Sequence, residues 1–430
     1  MNKVATEIKG FDKQEIKVAV YTAMICFLTY ASVYAFRKPF TVGTYSTEQD
    51  VFGLAYKDAL VICQVLGYMF SKFYGIKFIS ELKNIGRGKA VLVLLSISWI
   101  ALLLFALVSS PWNILFLFVN GFPLGMIWGI IFSFAEGRRT TDFIGATLAV
   151  SFIFSSGFVK FVAKWIMIHV DISEKWLPFV TGLIFMLPVI LLIQLLEKVP
   201  PPSQIDKESR VEREAMSAES RKAVFKKYSG GIILLIIVYV FLTIFRDIRD
   251  NFAADMWSEL GFANEPGVFT KTEIPVTIFV LVLISMMMLI KNNRKAFIIT
   301  HYLIIAGFAL AGISSLMFSL GWLSPFSWMV CVGLGLYIGY IPFNCILFDR
   351  MIAAFGTAAN VGFLMYLADS FGYMGSVGVI VTKTLFSIKL QWTVLYSIGV
   401  IYMSIAGIIL TVVAIIYFTK KLKTQVTYHA

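Results

Sequence analysis

Over 430 residues the chain is 59% hydrophobic, 15% aromatic and only 14% charged, well outside the range of soluble globular proteins. Its formal charge of +12, from 37 Lys and Arg against 25 Asp and Glu, fits basic cytoplasmic loops of a membrane protein better than a nucleic-acid partner. The alternating segments of a transmembrane barrel are missing, as are metal-ligand spacings, nucleophile–base arrangements and an ATP-binding loop, so neither a barrel, an enzyme nor a cofactor is expected.

The apolar residues come in blocks of roughly 20, the length that crosses about 30 Å of hydrocarbon as a helix. Six such spans are predicted near 17–37, 58–80, 89–109, 112–135, 143–169 and 176–196. Six more follow near 230–252, 274–290, 296–319, 326–348, 357–383 and 392–419. The first span follows an amphipathic start without a small-residue cleavage site, so it is expected to stay in the protein. Between the sets, Pro200-Pro-Pro202 opens a dense mixture of charges that reads as a cytoplasmic linker. The expected organisation is an all-α membrane protein of twelve transmembrane helices: an N-terminal six-helix bundle over 1–197, a linker over 198–228 and a C-terminal six-helix bundle over 229–430. Cys26, Cys63, Cys331 and Cys345 lie inside apolar runs and read as small core residues; His169, His301 and His429 show no ligand spacing.

Orientation follows the short loops. Lys83, Arg87 and Lys89, then Arg138 and Arg139, then Lys291, Arg294 and Lys295 mark one side, while Ser109–Asn113 and Gly321–Pro325 on the other carry no charge. Basic loops stay in the cytoplasm, so both termini are expected there, in a bacterial inner membrane.

The halves repeat. Tyr30 precedes Arg37 by seven residues with Phe36 between, and Tyr239 precedes Arg246 by seven with Phe245 between. Span 4 carries Gly121, Gly125 and Gly129 and is followed by Glu136-Gly-Arg138; span 10 carries Gly335 and Gly339 and is followed by Asp349-Arg350. Repeats running in one direction are the pattern of transporters built from two parallel six-helix halves around a cavity. Glycines at four-residue spacing are most simply helix-packing positions. The acid–Arg pairs Glu136/Arg138 and Asp349/Arg350 are candidates for locking an inward gate, or else interfacial anchors.

These features resemble the major facilitator superfamily, and four local motifs resemble its organophosphate:phosphate antiporter family, the bacterial glycerol-phosphate and hexose-phosphate transporters. They are Tyr34-Ala-Phe-Arg37-Lys38-x-Phe40; Gly67-Tyr-Met-Phe-Ser71-Lys72-Phe73; Arg246 and Arg249 before Asp250-Asn251 and Trp257; and Phe355-Gly-Thr-Ala-Ala359 with Tyr366-Leu-Ala-Asp369-Ser-Phe371. The resemblance implies alternating-access exchange of an organic phosphate for phosphate, with Arg37 and either Arg246 or Arg249 on the phosphoryl group and Lys72 assisting. The family's span 5 histidine has no counterpart in Ser151–Gly157, where Lys160 stands a little further on. Its hexose-phosphate branch places a Lys three residues after the span 11 Asp, and Gly372 occupies that position here. These departures bear on the substrate, not the fold.

Charge at membrane depth usually faces the bundle interior and has a partner. At about 1.5 Å per residue from Val18, Arg37 lies some 28 Å along its helix, near the hydrocarbon edge, where a snorkelling pair with Lys38 is the competing account. Asp247 and Asp250 are placed to neutralise one of Arg246 and Arg249. Lys72 and Asp369 have matching depths, which suggests an ion pair between the halves. Tyr34, Lys38 and Lys160 complete the candidate binding set, and Gln64, Asn344, Tyr366 and Glu273 are weaker candidates. Two guanidiniums suit a phosphate, since each offers a planar fork of donors and keeps its charge. The expected partners are a small anion and the lipid bilayer, with no nucleic acid, in a monomer. A proton-coupled symporter of a carboxylate or sugar acid, with Asp369 carrying the proton, and a ligand sensor on the same fold are the alternatives.

Overall fold

In the computed structural model, residues 12–81, 86–204, 206, 218–355, 361–386 and 390–427 are described. Among them are fourteen α-helices and no strand beyond one isolated bridge, Val51 to Leu54. The first six are α1 (Lys13–Val33), α2 (Tyr56–Glu81), α3 (Arg87–Leu107), α4 (Ile114–Ser133), α5 (Thr141–His169) and α6 (Leu177–Glu197). After the linker come α7 (Ala218–Asn251), the short α8 (Ala253–Glu259), α9 (Gly267–Met288), α10 (Asn293–Ser319), α11 (Pro325–Cys345), the short α12 (Leu347–Phe355), α13 (Val361–Leu385) and α14 (Trp392–Thr427). Among the described residues ten helices are long and apolar enough to cross a membrane. The other two long ones, α2 and α13, carry Lys72 and Asp369 within their lengths.

Apolar side chains point both ways, as they must when the solvent is lipid. Along α1, Ile16, Val20, Met24 and Leu28 are exposed at four-residue spacing, while Thr22, Cys26 and Thr29 face inward. Four-residue spacing returns to one helix face, so this stripe is the lipid-facing side of the helix. The outward stripes and the multiple apolar helices make this an integral multi-pass membrane protein.

In the first half α1 packs on α5 and α6, and α4 packs on α2 and α3; in the second, α7 packs on α13, α14 and α11, and α10 on α11 and α14. Across the halves, α5 meets α9 and α11, and α2 meets α13. Close crossings depend on glycine. A Cβ on Gly67 or Gly121 would strike the partner backbone where α2 crosses α4.

Several boundaries differ from the expected spans. Asp12 caps α1, and Glu15 accepts the Asp12 N–H at 3.0 Å, closing a capping box. At its other end α1 stops at Val33 instead of running through residue 37. Two 3-10 turns follow, Tyr34–Phe36 and Pro39–Val42. Pro39 has no N–H to donate and opens the second turn, so Arg37 and Lys38 fall between the turns. The expected span 326–348 is divided at Ile346, just past Pro342, into α11 and α12. Residues 218–227, counted with the linker, are helical and join α7 across a kink at Tyr228. Lys83 and the Gly356–Ala359 part of the span 11 motif lie outside the described residues.

Candidate functional site

The break after α1 creates the site. Side-chain amides hold its backbone: Gln64 donates to the Arg37 carbonyl at 2.9 Å, and Asn120 donates to the Phe36 carbonyl at 2.9 Å. Gln64 also donates to Asn120 at 2.7 Å, so this candidate polar residue acts on the main chain. Thus anchored, Arg37 and Lys38 leave in different directions. The Arg37 guanidinium stacks on the Tyr68 ring, 4.0 Å from its centroid, with Tyr34 at 5.8 Å. Its Nε is buried without a hydrogen-bond partner, and no ion pair of Arg37 occurs among the described residues. A buried cation with no acidic neighbour is costly by several kcal/mol, so it marks a place where an anion would be favoured.

Arg37 lines a cavity of about 340 Å³ between the two halves. Tyr34, Lys72, Arg246 and Asp369 line it too, as do Tyr30 and Asn344. Arg246 stands over the Tyr340 ring at 4.3 Å and donates to the Tyr340 hydroxyl at 3.0 Å. Its other arm pairs with Asp247 at 2.5 Å, and Ser376 on α13 donates to the second Asp247 oxygen at 2.9 Å. Lys72 lies 3.7 Å from Asp369, which also accepts from the Tyr239 hydroxyl, so the two residues expected to match in depth are paired across the halves. Of the three cations, Lys72 is paired with Asp369 and Arg246 with Asp247, while Arg37 has no such pair among the described residues.

The other candidate cations close one end of the molecule. Lys38 and Lys160 both pair with Asp250, Lys160 at 2.5 Å, and Lys38 donates to Asn251 at 2.8 Å. Ser156 donates to the same Asp250 carboxylate. Arg249 pairs with Glu273 at 2.6 Å and donates to the Met329 carbonyl at 3.0 Å. Beside them, Lys57 pairs with Asp255 at 2.5 Å and Lys383 with Asp58 at 3.7 Å. Lys38, Lys160 and Arg249 therefore do not reach the cavity that Arg37 and Arg246 share. The choice between the two α7 arginines is decided by their partners: Arg246 turns to Tyr340 and Asp247 beside the cavity, whereas Arg249 turns to Glu273 and the Met329 carbonyl.

At the opposite end the cavity opens past Glu136, Asp142 and Asp349. The arginines expected to pair there do something else. Arg138 is buried and donates to the carbonyls of Phe134 and Pro200, tying the start of the linker to the α4–α5 turn. Arg350 donates to Asn293 at 2.6 Å. Next in the linker, Asp206 accepts the N–H groups of Arg139 at 2.8 Å and Ser203 at 2.9 Å. Burial pushes the Asp206 carboxyl up, but these hydrogen bonds and the Arg138 charge outweigh it and hold it below the usual carboxylate range.

Sequence reasoning did not single out Tyr68 or Tyr340, and it set Asp250 against an α7 arginine, whereas Asp247 alone pairs with Arg246 and Asp250 pairs with Lys38 and Lys160. Tyr68 had a legible signal, standing four residues before Lys72 and so on its face of α2; both cations contact its ring. Tyr340 becomes a functional candidate, and Asp250 finds its partners, only through neighbours distant in sequence.

Comparison with solved structures places the fold. The chain is similar to the nucleoside transporter NupG, at 13% identity and a TM-score of 0.59 over 93% of this chain and 99% of that one. A point mutant of NupG gives 12% and 0.61, over 93% and 100%. A bacterial homolog of the human lysosomal transporter Spinster, in an inward-facing and unoccupied conformation, gives 12% and 0.56, over 96% and 98%. The architecture is thus the major facilitator fold. No curated protein matches in sequence. A family model described as a family of unknown function (DUF5690) matches residues 39–421, and the chain belongs to that family.

Proposed function

We propose that this member of the DUF5690 family is a secondary transporter that carries a small organic anion, an organophosphate exchanged for phosphate, by alternating access. The observation that carries the reading is Arg37: a buried guanidinium without an acidic partner, in the same cavity as Arg246 and Lys72. The two arginines belong to opposite halves, so an anion between them would draw the halves together, while an empty site leaves two like charges facing one cavity. That difference makes the loaded carrier the easier one to reorient and favours exchange over net leak.

The ion pairs of Asp250 and Glu273 are the closed gate in this reading, and the mouth past Glu136 and Asp349 is the open, cytoplasmic one. It follows that the termini and the linker lie in the cytoplasm and that the halves, 1–197 and 229–430, rock about the cavity. NupG is a nucleoside transporter and the other similar structure is a homolog of a lysosomal transporter, which supports a transport role for the shared architecture.

Proteoliposome exchange tests the proposal: vesicles loaded with phosphate should take up labelled phosphate and lose it to external organophosphates. If labelled phosphate neither enters nor exchanges, the proposal fails. A second reading, proton-coupled uptake of a carboxylate, draws on Asp369, a carboxylate inside the cavity held by Tyr239 and facing Lys72. Uptake driven by a pH gradient with no counter-anion would favour it.

A further inference from the structure

The cavity is much larger than its anion site requires. About 340 Å³ is in the range of a whole small-molecule ligand, whereas phosphate has five non-hydrogen atoms. Of its 21 lining residues eight are aromatic. Trp128 and Phe132, one turn apart on α4, stack with centroids 5.2 Å apart and planes within 4°. Gly129 and Gly145 line the cavity as well, and the Phe132 ring lies against Gly145. Phe152 lines the same cavity, its ring 6.0 Å from that of Tyr340 and 6.0 Å from the Arg246 guanidinium.

Three of the neutral groups that could read a polyol are already occupied. Asn344, the one amide among the described lining residues, donates to the Tyr340 carbonyl at 3.3 Å and receives the Tyr239 hydroxyl at 3.5 Å. Thr141, the one aliphatic hydroxyl, donates to Ala135 and Arg138 carbonyls at 2.7 Å and receives the Arg138 N–H at 3.0 Å. The Tyr340 hydroxyl is engaged by Arg246 and Tyr239. The same lining sets the ring faces of Trp128, Phe132 and Phe152 in one cavity with two guanidiniums, and flat π-faces are what aromatic walls recognise.

We infer that the molecule this cavity takes is a planar-ring organic anion, an aryl or heteroaryl phosphate, its anionic end at Arg37 and Arg246 and its ring on Trp128. The inference rests on the proposed role of those arginines as the anion site. It predicts that ring and anion act together, and that Trp128 contributes to the ring alone.

The test is ligand-induced thermal stabilisation of the purified full-length protein by phenyl phosphate, glycerol phosphate, a hexose phosphate, inorganic phosphate and benzyl alcohol. Phenyl phosphate should half-saturate at about tenfold lower concentration than glycerol phosphate, and benzyl alcohol should give no shift. Trp128→Leu should remove that tenfold advantage and leave inorganic phosphate unchanged, while Trp128→Phe keeps most of it. Glycerol or hexose phosphate binding as tightly as phenyl phosphate overturns the inference, as does Trp128→Leu weakening every anion equally. If no anion shifts the transition, the ring site and the anion site fall together. A shift by phenyl phosphate without phosphate exchange in vesicles retains the ring site and sinks only the exchange mechanism.

Discussion

Replacing Arg37 with Met separates binding from stability in a way no other cation of the cavity should. The guanidinium has no acidic partner among the described residues, so its removal leaves none of their carboxylates unpaired. Two opposing changes follow. Stacking on Tyr68 is lost, worth about 0.5–2 kcal/mol, and the desolvation penalty of an uncompensated buried charge, several kcal/mol, is relieved. The free protein should therefore melt at or above the wild-type temperature. Arg246→Met is the contrast, because it strands Asp247, which is buried and held by Ser376. Breaking one partner of a buried pair is destabilising by roughly 3–5 kcal/mol. Both variants should lose anion binding, since each removes charge-assisted hydrogen bonds worth about 1.5–3 kcal/mol, roughly a tenfold to hundredfold rise in half-saturating phosphate. The assay is thermal unfolding in detergent, with and without phosphate. An Arg37→Met protein that melts well below wild type, or that still gains the wild-type increment from phosphate, would falsify the assignment of Arg37 to the anion.

Further outcomes follow from the same geometry. Asp250→Asn deprives Lys38 and Lys160 of their shared counter-charge. In a background lacking Cys26, Cys63, Cys331 and Cys345, a Ser156→Cys probe should then react severalfold faster (order of magnitude, from the lost pairing) with an external membrane-impermeant maleimide; unchanged labelling would argue against a gate there. Exchanging the charges of the Lys72–Asp369 pair should restore part of the folding stability lost in each single variant, and no recovery in the double-mutant cycle counts against direct pairing. Asp206 supplies a pH test. Its carboxyl is held low when folded, so its stabilisation is complete above the unfolded value near 3.9 and disappears as pH falls through the folded one. The melting-temperature gap between wild type and Asp206→Asn should accordingly be flat from about pH 7 to 5 and close only below about pH 4. A gap that widens on acidification contradicts the sign.

Much of the architecture is written in the composition. A bilayer demands about 20 apolar residues per crossing and forces buried charge to be rare, so spans, linker and intramembrane cations stand out without any knowledge of packing. The pairing of Lys72 with Asp369 was legible for a related reason. Few charges share that depth, and a carboxylate there has few other partners. The gate was harder. Asp250 follows Arg249 directly, yet its partners are Lys160, 90 residues away in sequence, and Lys38, still further away in the first half.

Arg37 and Lys38 show where a one-dimensional pattern stops. The chain itself determined that two cations end the first apolar run, that Pro39 follows them, and that Arg246 repeats the spacing in the second half. Hydrophobic length and the missing proline N–H are local properties, present in any conformation of the chain. Only the tertiary structure decided that Arg37 turns into the cavity while Lys38 turns to Asp250. That outcome depends on the break at Val33, on the Gln64 and Asn120 amides that hold the broken backbone, and on which helix of the other half stands opposite. A charge in a membrane has to find its partner in space, and sequence spacing does not record who stands across the cavity.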